Sequence, residues 1–577
     1  MLRYRIVPDD QGEDVYEIDS CGLEILHNPI LNKGSAFPLE ERRLFRIEGM
    51  LPPAVSTLEQ QVERRYEGFS AKPSDLEKYI YLRSLQDRNE TLFYALLLAH
   101  LEEMIPIVYT PTVGLACQRY SHIFRYTRGI FLSPDNIDRV DAIFRSLAYR
   151  NVEMIVATDS EGILGIGDQG VGGMGIPVGK LSLYVAGAGI RPANCLPVTI
   201  DVGTDNEERL ADPLYLGIRK RRIRGEAYFD LIDRFAQAVK KHFPGAILQW
   251  EDFSKQNAFT LLDRYRKQLP SFNDDIQGTG AVVLAGILCA LRITGGSLPA
   301  QRFAILGAGA GGIGVARQIR TALRARGLSE REATERILVV DSRGVVAEGR
   351  GGVDAYKVPF AQRAGFAEGW TRERPDKVTL LDVVRNARPT VLLGLSGTAG
   401  AFTGEILRTM AAQCERPVIF PLSNPTSKTE APPEEIYRMT GGRAIVATGS
   451  PFPAVNHEGK EYLVGQGNNV YIFPGVGLAA LLVGAKEITD GMFTAAAERL
   501  AGLVPAERLA RNGLYPPIAQ LREICREIAV AVSLRAMEEG IAAPVPEERL
   551  RESLERRMWK PRYARYRRKA PEGAAAG

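Results

Sequence analysis

The sequence predicts an α/β protein in two parts: a mostly helical N-terminal region leading into a first α/β unit, then a doubly wound parallel sheet. Three observations carry this. Helical periodicity dominates up to about Arg150. Short apolar strands alternate with helical stretches from Val152 onward. A glycine-rich turn, Gly307-Ala-Gly309-Ala-Gly-Gly312, joins an apolar strand to a helix-forming run.

The elements follow in order. Residues 74–81 form a helix with Ser74 as N-cap and Glu77 at capping-box spacing. A second helix covers 89–104, with Leu92, Leu96, Leu97 and Leu101 on one stripe. Residues 106–111 read as a rigid turn flanked by Pro106 and Pro111. Strands are expected at 154–158, 196–200 and 246–250, and helices from Lys180 onward and over 279–293. The second alternation has strands at 302–306, 337–340, 390–393 and 418–420. The basic stretch 548–569 closes the chain, and 571–577 reads as a frayed tail.

The chain has 577 residues with a net charge of +4, 45% hydrophobic and 25% charged residues. Balanced charge argues against a dedicated nucleic-acid binder, and the apolar content against a disordered chain. The longest apolar run, 280–291, is too short to span a membrane. The N-terminus lacks a secretory apolar core, and its Asp9, Asp10, Glu13 and Asp14 argue against a transit peptide. Six scattered cysteines without a CxxC pair read as reduced thiols, pointing to a cytoplasmic protein.

The turn at Gly307, Gly309 and Gly312 has the strand before it and the helix after it that a Rossmann-like dinucleotide site requires. Its glycines let backbone approach a pyrophosphate, which sits on the free N–H groups of the helix N-terminus. The second strand ends at Asp341, later than the usual spacing of about 20 residues, because a polar insert at 327–336 lengthens the crossover. Asp341 suits a ribose hydroxyl and thus NAD. Ser342, Arg343 and Lys357 supply donors and positive charge suited to a 2′-phosphate, which tilts the reading slightly to NADP.

Glu251-Asp252 terminates a strand, and Asp274-Asp275 precedes a helix. Carboxylates at such ends can converge on a hard divalent cation, Mg²⁺ or Mn²⁺, but by spacing alone they are ordinary surface acids. Lys180 follows a glycine-rich segment and is flanked by Ile176, Val178 and Leu181. Burial and a nearby cation would lower its pKa and make it a usable base; a snorkelling lysine is the plainer alternative. Tyr109 by itself reads as a packed core tyrosine.

Together these segments resemble the malic enzyme family, from about Gly22 to Tyr566. The residues that carry the resemblance are VYTPTVGLACQRYSHIFR (108–125), GILGIGDQGVGGMGIPVGKLSLYVAGAGIRP (162–192), DVGTDN (201–206), QWEDF (249–253), FNDDIQGTGA (272–281), PLSNPT (421–426), GSPF (449–452) and GQGNNVYIFPG (465–475). The resemblance implies oxidative decarboxylation of L-malate to pyruvate and CO₂ with reduction of NAD or NADP. It implies Glu251, Asp252 and Asp275 as metal ligands, Lys180 as base, Asp274 as the partner that tunes it, and Tyr109 as the acid. Asn424 and Asn468 lie where the family contacts substrate or nicotinamide, and Asp341-Ser-Arg-Gly344 with Lys357 looks like the NADP-using branch. It further implies a substrate domain over 1–274, a Rossmann-like cofactor domain over 275–535, a C-terminal arm over 536–577 that packs on neighbouring subunits, and a homodimer or homotetramer.

One position departs. Gly162 stands in Asp159-Ser-Glu-Gly-Ile-Leu-Gly165, where the family usually has an arginine that clamps a malate carboxylate. Its loss removes a contact worth roughly 1.5–3 kcal/mol. Malolactic enzymes, which yield lactate with retained NAD, also look glycine-like here and form the alternative; a non-catalytic relative is a third. Restoring the arginine at 162 is expected to lower the KM for malate.

Overall fold

The computed structural model describes residues 4–9, 14–147, 151–163 and 165–569. Asp10, Glu13 and the expected frayed tail at 571–577 lie outside the described residues.

Two sheets organise the chain. The first has five parallel strands in the spatial order Ile130–Leu132, Cys195–Ile200, Met154–Thr158, Ile247–Trp250 and Ser271–Asn273. The last four are buried along their whole length, as expected for strands covered on both faces. The second has seven strands: Gly344–Val345, Ile337–Asp341, Phe303–Leu306, Val391–Gly394, Val418–Pro421, Ile445–Thr448 and Gly465–Gln466. All its pairings are parallel except that of the edge strand Gly344–Val345. Strand order reverses on either side of Phe303–Leu306, which opens a crevice at its C-terminal end, the site where such folds bind ligands.

The helix Thr279–Thr294 follows the first sheet and packs against the helices Ala310–Arg324 and Asp490–Gly502. With the preceding turn it makes a 21-residue run from Asp274 of mean hydropathy 1.7, long and apolar enough to cross a membrane, longer than the 280–291 core read from sequence. Most of its apolar stretch is buried inside the protein, and it serves as a core helix.

Several boundaries differ from the sequence expectation. The helix expected over 89–104 is two, Glu90–Ala99 and Leu101–Val108, broken at His100, whose ψ of 44° leaves the helical region. The second contains Pro106, so the expected turn at 106–111 shrinks to its last residues. Its apolar face continues past the break, which is why periodicity did not reveal it. The helix at Ser74 runs Asp75–Gln86; Ser74 Oγ accepts from Glu77 N at 3.3 Å, half of the expected capping box. The helix carrying Lys180 begins earlier, at Gly175, because Gly170–Met174 is itself a tight helical turn pressed onto neighbouring chain. A Cβ on Gly172 would lie 2.6 Å from the Cys117 carbonyl oxygen.

The helical N-terminal region also holds strands that the sequence reading passed over. Tyr4–Pro8 and Asp14–Ile18 form an antiparallel pair, and the C-terminal strand Arg565–Arg568 joins Asp14–Ile18 in parallel. The C-terminal arm thus returns to its own chain. Lys33, buried, lies 3.7 Å over the Tyr566 ring, pairs with Glu41 at 2.7 Å, and donates to the Ala564 carbonyl at 2.6 Å. The same Glu41 accepts from the Tyr566 amide at 3.0 Å. Removing one member of a buried ion pair costs about 3–5 kcal/mol because the other charge stays buried. Glu41→Ala is therefore expected to release the C-terminal strand, read as hydrogen-exchange protection lost from residues 14–18 and 565–568 together while the two large sheets stay protected.

Candidate active site

Strand register builds the site. Trp250 is paired with Asn273 in the parallel pair, so the residues that follow each strand emerge side by side: Glu251-Asp252 from one, Asp274-Asp275 from the other. The chain then turns through a wide π-helical turn, Asp274–Gly278, whose start is capped by Asn273 Oδ1 accepting from Ile276 N at 3.0 Å. Asp252 sits in the left-handed region at φ 54°, and its amide donates to Asp275 Oδ2 at 2.9 Å. Carboxylate oxygens of Glu251, Asp252 and Asp275 lie within 4.8 Å of one another.

Lys180 enters from the Gly175–Ala188 helix, fully buried. Its Nζ contacts Glu251 Oε1 at 3.0 Å and is ion-paired to Asp274 Oδ2. The Phe473 ring lies 4.3 Å from it and the Tyr109 ring 5.2 Å. Tyr109 approaches because position 179 is glycine: a Cβ there would stand 3.0 Å from the tyrosine ring. The Tyr109 hydroxyl is 3.5 Å from Glu251 Oε1. The structure therefore brings Tyr109, Lys180, Asp274, Glu251, Asp252 and Asp275 into one pocket.

Burial, opposed by the single charge of Lys180, sets the protonation of this cluster. Burial pushes the Glu251 carboxyl up to about 8, against the pull of Lys180. Burial likewise raises Asp275 to about 6. For Lys180, burial works to lower the pKa, but Asp274 and Glu251 outweigh it and hold the ammonium well above its usual value. Burial thus acts in the direction expected from sequence, and the two paired carboxylates act against it. Burial raises the Tyr109 phenol well above 10, with Lys180 opposing.

The donor set fits a hard divalent cation: three carboxylates, all oxygen, those of Glu251 and Asp252 buried and that of Asp275 half-buried, with Glu251 and Asp275 held up by burial although Lys180 opposes it. The dinucleotide turn fits its ligand too. Gly307 has φ 112°, and a Cβ on Gly312 would lie 1.8 Å from the Gly307 carbonyl oxygen. The helix Ala310–Arg324 that follows has no side-chain cap at Gly309, which leaves its first N–H groups for an anion.

Other expected residues are placed differently. Asn424 forms a cis bond to Pro425, and its Oδ1 accepts from Ser450 Oγ at 2.6 Å. Asn468 caps its own short turn, accepting from Val470 N at 3.0 Å. Its neighbour Asn469, which the sequence reading did not single out, donates to Asp274 Oδ2 at 3.0 Å and to the hydroxyl of Thr279 at 3.1 Å. Gln249 was also missed: it accepts from Tyr184 and donates to Glu251 Oε2 at 2.7 Å. Nothing in the sequence but its place in QWEDF could have marked it.

At the adenosine end, Arg350 clasps both Asp341 oxygens at 2.9 and 2.7 Å, a contact no sequence spacing announced. Lys357 is spent on Asp354 at 2.7 Å and Asp341 at 3.5 Å. Arg343 folds onto the carbonyls of Gly351 and Gly352, and Ser342 is exposed. Burial opposes ionisation of Asp341, but the Arg350 hydrogen bonds win and hold its carboxyl below the usual range. An ionised Asp341 receives ribose hydroxyls and repels a 2′-phosphate.

Gly162 is tightly enclosed. Its amide donates to Asp252 O at 2.9 Å, and a Cβ would stand 2.3 Å from the Phe253 carbonyl oxygen. An arginine at 162 would therefore have to displace the backbone beside the acidic cluster, which works against the expected gain in malate affinity.

Residues 86–266 match the family described as malic enzyme, N-terminal domain, and residues 276–537 match malic enzyme, NAD binding domain. The NAD-dependent malic enzyme of Sodalis glossinidius is 49% identical over 551 residues, covering 96% of this chain and 97% of that one. The NAD-dependent malic enzyme of Acinetobacter baylyi is 47% identical over 551 residues, with coverage of 96% and 97%. The crystal structure of Entamoeba histolytica malic enzyme has the same fold, with a TM-score of 0.55 at 23% identity, covering 89% of this chain and 91% of that one. That of the malic enzyme from Pyrococcus horikoshii gives 0.52 at 24%, covering 79% and 89%. The chain belongs to the malic enzyme family. The names of these relatives lend no support to the NADP lean.

Two outcomes are expected. A divalent cation must displace protons from Glu251 and Asp275, so Mn²⁺ affinity should rise as pH goes from about 6 to about 8. Calorimetry in buffers of differing ionisation enthalpy should register proton release at the lower pH; a pH-independent affinity with no release contradicts the assignment. Gly162→Ala should destabilise the protein by about 1–3 kcal/mol through overpacking, seen as a lower denaturant midpoint.

Proposed function

We propose that the protein catalyses oxidative decarboxylation of L-malate to pyruvate and CO₂ with reduction of NAD. The convergence of Tyr109, Lys180 and Asp274 with the carboxylates of Glu251, Asp252 and Asp275 in one buried pocket supports this reading above any other observation.

Glu251, Asp252 and Asp275 would hold Mg²⁺ or Mn²⁺, which supplies positive charge to offset the malate dianion and to draw electrons from the breaking C3–C4 bond. Lys180 takes the proton from the C2 hydroxyl; Asp274 holds its ammonium in place and Asn469 fixes Asp274 in turn. Asp274 and Glu251 raise the Lys180 pKa, and a cation bound at Glu251 beside it would offset part of that field and bring the lysine toward a basic role. Tyr109, whose raised pKa keeps its proton on, returns a proton to C3. Asn424 and Asn468 bind substrate or nicotinamide, and the buried Phe473 ring covers Lys180 and keeps water from it.

Gly307, Gly309 and Gly312 receive the pyrophosphate, and Asp341, steadied by Arg350, receives the adenosine ribose as hydroxyls. This reading selects NAD. Residues 1–274 then form the substrate and metal half, 275–535 the cofactor half, and 536–577 an arm. The enzyme acts in the cytoplasm, in keeping with six free cysteines. It assembles as a homodimer or homotetramer, in keeping with Leu115, Phe124, Tyr126, Leu214 and Leu216, large apolar side chains left exposed.

The test is direct. With L-malate and Mn²⁺, NAD should be reduced with pyruvate as product; lactate without net reduction would instead establish the malolactic reaction. Lys180→Met and Tyr109→Phe should each lower kcat by about 10²–10⁴-fold. The kcat/KM for NAD should exceed that for NADP, and Asp341→Ser should shrink that ratio by about tenfold or more. An unchanged ratio would refute the role given to Asp341.

A further inference from the structure

The mechanism above leaves one cation at the junction of the two halves unused. Lys255 is the first residue of the helix Lys255–Tyr265, three positions past Asp252. It is exposed and forms no hydrogen bond or ion pair among the described residues. Its side chain does not point away into solvent. It lies along the glycine turn of the other half: a Cβ on Gly309 would stand 3.4 Å from Lys255 Cε, 3.6 Å from Cδ and 3.9 Å from Nζ. The ammonium is therefore held beside the uncapped N-terminus of Ala310–Arg324.

Its position in its own helix is also unfavourable. Local electrostatics prefers an acid in the first helical turn, and this first turn contains none. Ser254 makes no side-chain cap there. A lysine at this end adds to the positive ends of two helices and meets no carboxylate in return. Such an arrangement is stabilised by an anion. Gly309 keeps the lane open, whereas the other two glycines are required by backbone: a Cβ on Gly307 would lie 2.3 Å from the Leu395 carbonyl oxygen, and one on Gly312 would lie 1.8 Å from the Gly307 oxygen.

We propose that Lys255 is a binding residue for the pyrophosphate of the dinucleotide, reached across from the half that carries the acidic cluster. This rests on the dinucleotide reading of the Gly307–Gly312 turn. It adds to that reading a salt-sensitive contact between the two halves that forms when the cofactor binds. Asp252 and Lys255 lie on one short connection, so pyrophosphate binding fixes the segment that also carries an acid of the cluster.

The experiment measures binding to the full-length protein by calorimetry, with NAD, ADP-ribose and adenosine as probes. Lys255→Gln should weaken NAD and ADP-ribose by about tenfold, leave adenosine unchanged, and flatten the dependence of log Kd on log salt. Lys255→Arg should retain most of the affinity. Equal ADP-ribose affinity in wild type and Lys255→Gln overturns the proposal and identifies a solvated surface lysine. Equal weakening of adenosine also overturns it, because the pyrophosphate is then not the group contacted. If the wild-type protein binds neither NAD nor ADP-ribose, the dinucleotide reading itself fails, an outcome distinct from the first two.

Discussion

The burial of Lys180 between Glu251 and Asp274 is the interaction on which the rest of the site depends. A lysine with almost no exposure is costly unless its charge is answered nearby. Here the answer comes from two adjacent strand ends, and it only works if their register is kept. A one-residue slip between Ile247–Trp250 and Ser271–Asn273 would carry the acids to the opposite face of the sheet. The buried strand Met154–Thr158 pairs with Ile247–Trp250 on its other side, and Ser271–Asn273 closes the sheet as its edge, so the core of the first sheet is also the alignment device of its acidic edge.

Excess negative charge in the same pocket makes it receptive to a cation. Glu251, Asp252, Asp274 and Asp275 face one lysine. Burial then works against ionisation of Glu251 and Asp275, and a divalent ion would relieve both at once. Gln249 and Asn469 fix the orientation of Glu251 and Asp274. The geometry is thus supported from behind by neutral amides, which orient the carboxylates without adding to their charge.

Much of the fold was legible because its signals are local. Buried parallel strands read as apolar runs, and the observed strands Met154–Thr158, Ile337–Asp341 and Val418–Pro421 match the expected ones within a residue. The break at His100 was not legible, since leucines on both sides satisfy one helical stripe. Nor was the pairing of Arg565–Arg568 with Asp14–Ile18, because a strand of arginines carries no apolar pattern and its partner lies at the far end of the chain. In the site, the residue types and their long motifs pointed to Tyr109, Lys180 and the acids, and the structure gathers them. The motif did not reveal the support that Asn469 gives to Asp274, since the turn after Gln466 determines which amide faces that carboxylate.

What the chain determined by itself was the inventory: a glycine turn between strand and helix, acids at two strand ends, a lysine behind a run of glycines, and the family those motifs resemble. Only the tertiary structure decided how the charges are spent. It turned Lys357 onto Asp354 and Asp341 and Arg343 onto the carbonyls of Gly351 and Gly352, so the positive residues that suggested a 2′-phosphate are occupied, while Arg350 clasps Asp341. It raised the pKa of Lys180 where burial alone would have lowered it. It closed the space at Gly162 with the Phe253 carbonyl. The physical reason is common to all three. Composition and spacing report which charges and side chains exist, whereas their free energy depends on distance and burial, and these are set by contacts between residues far apart in the chain.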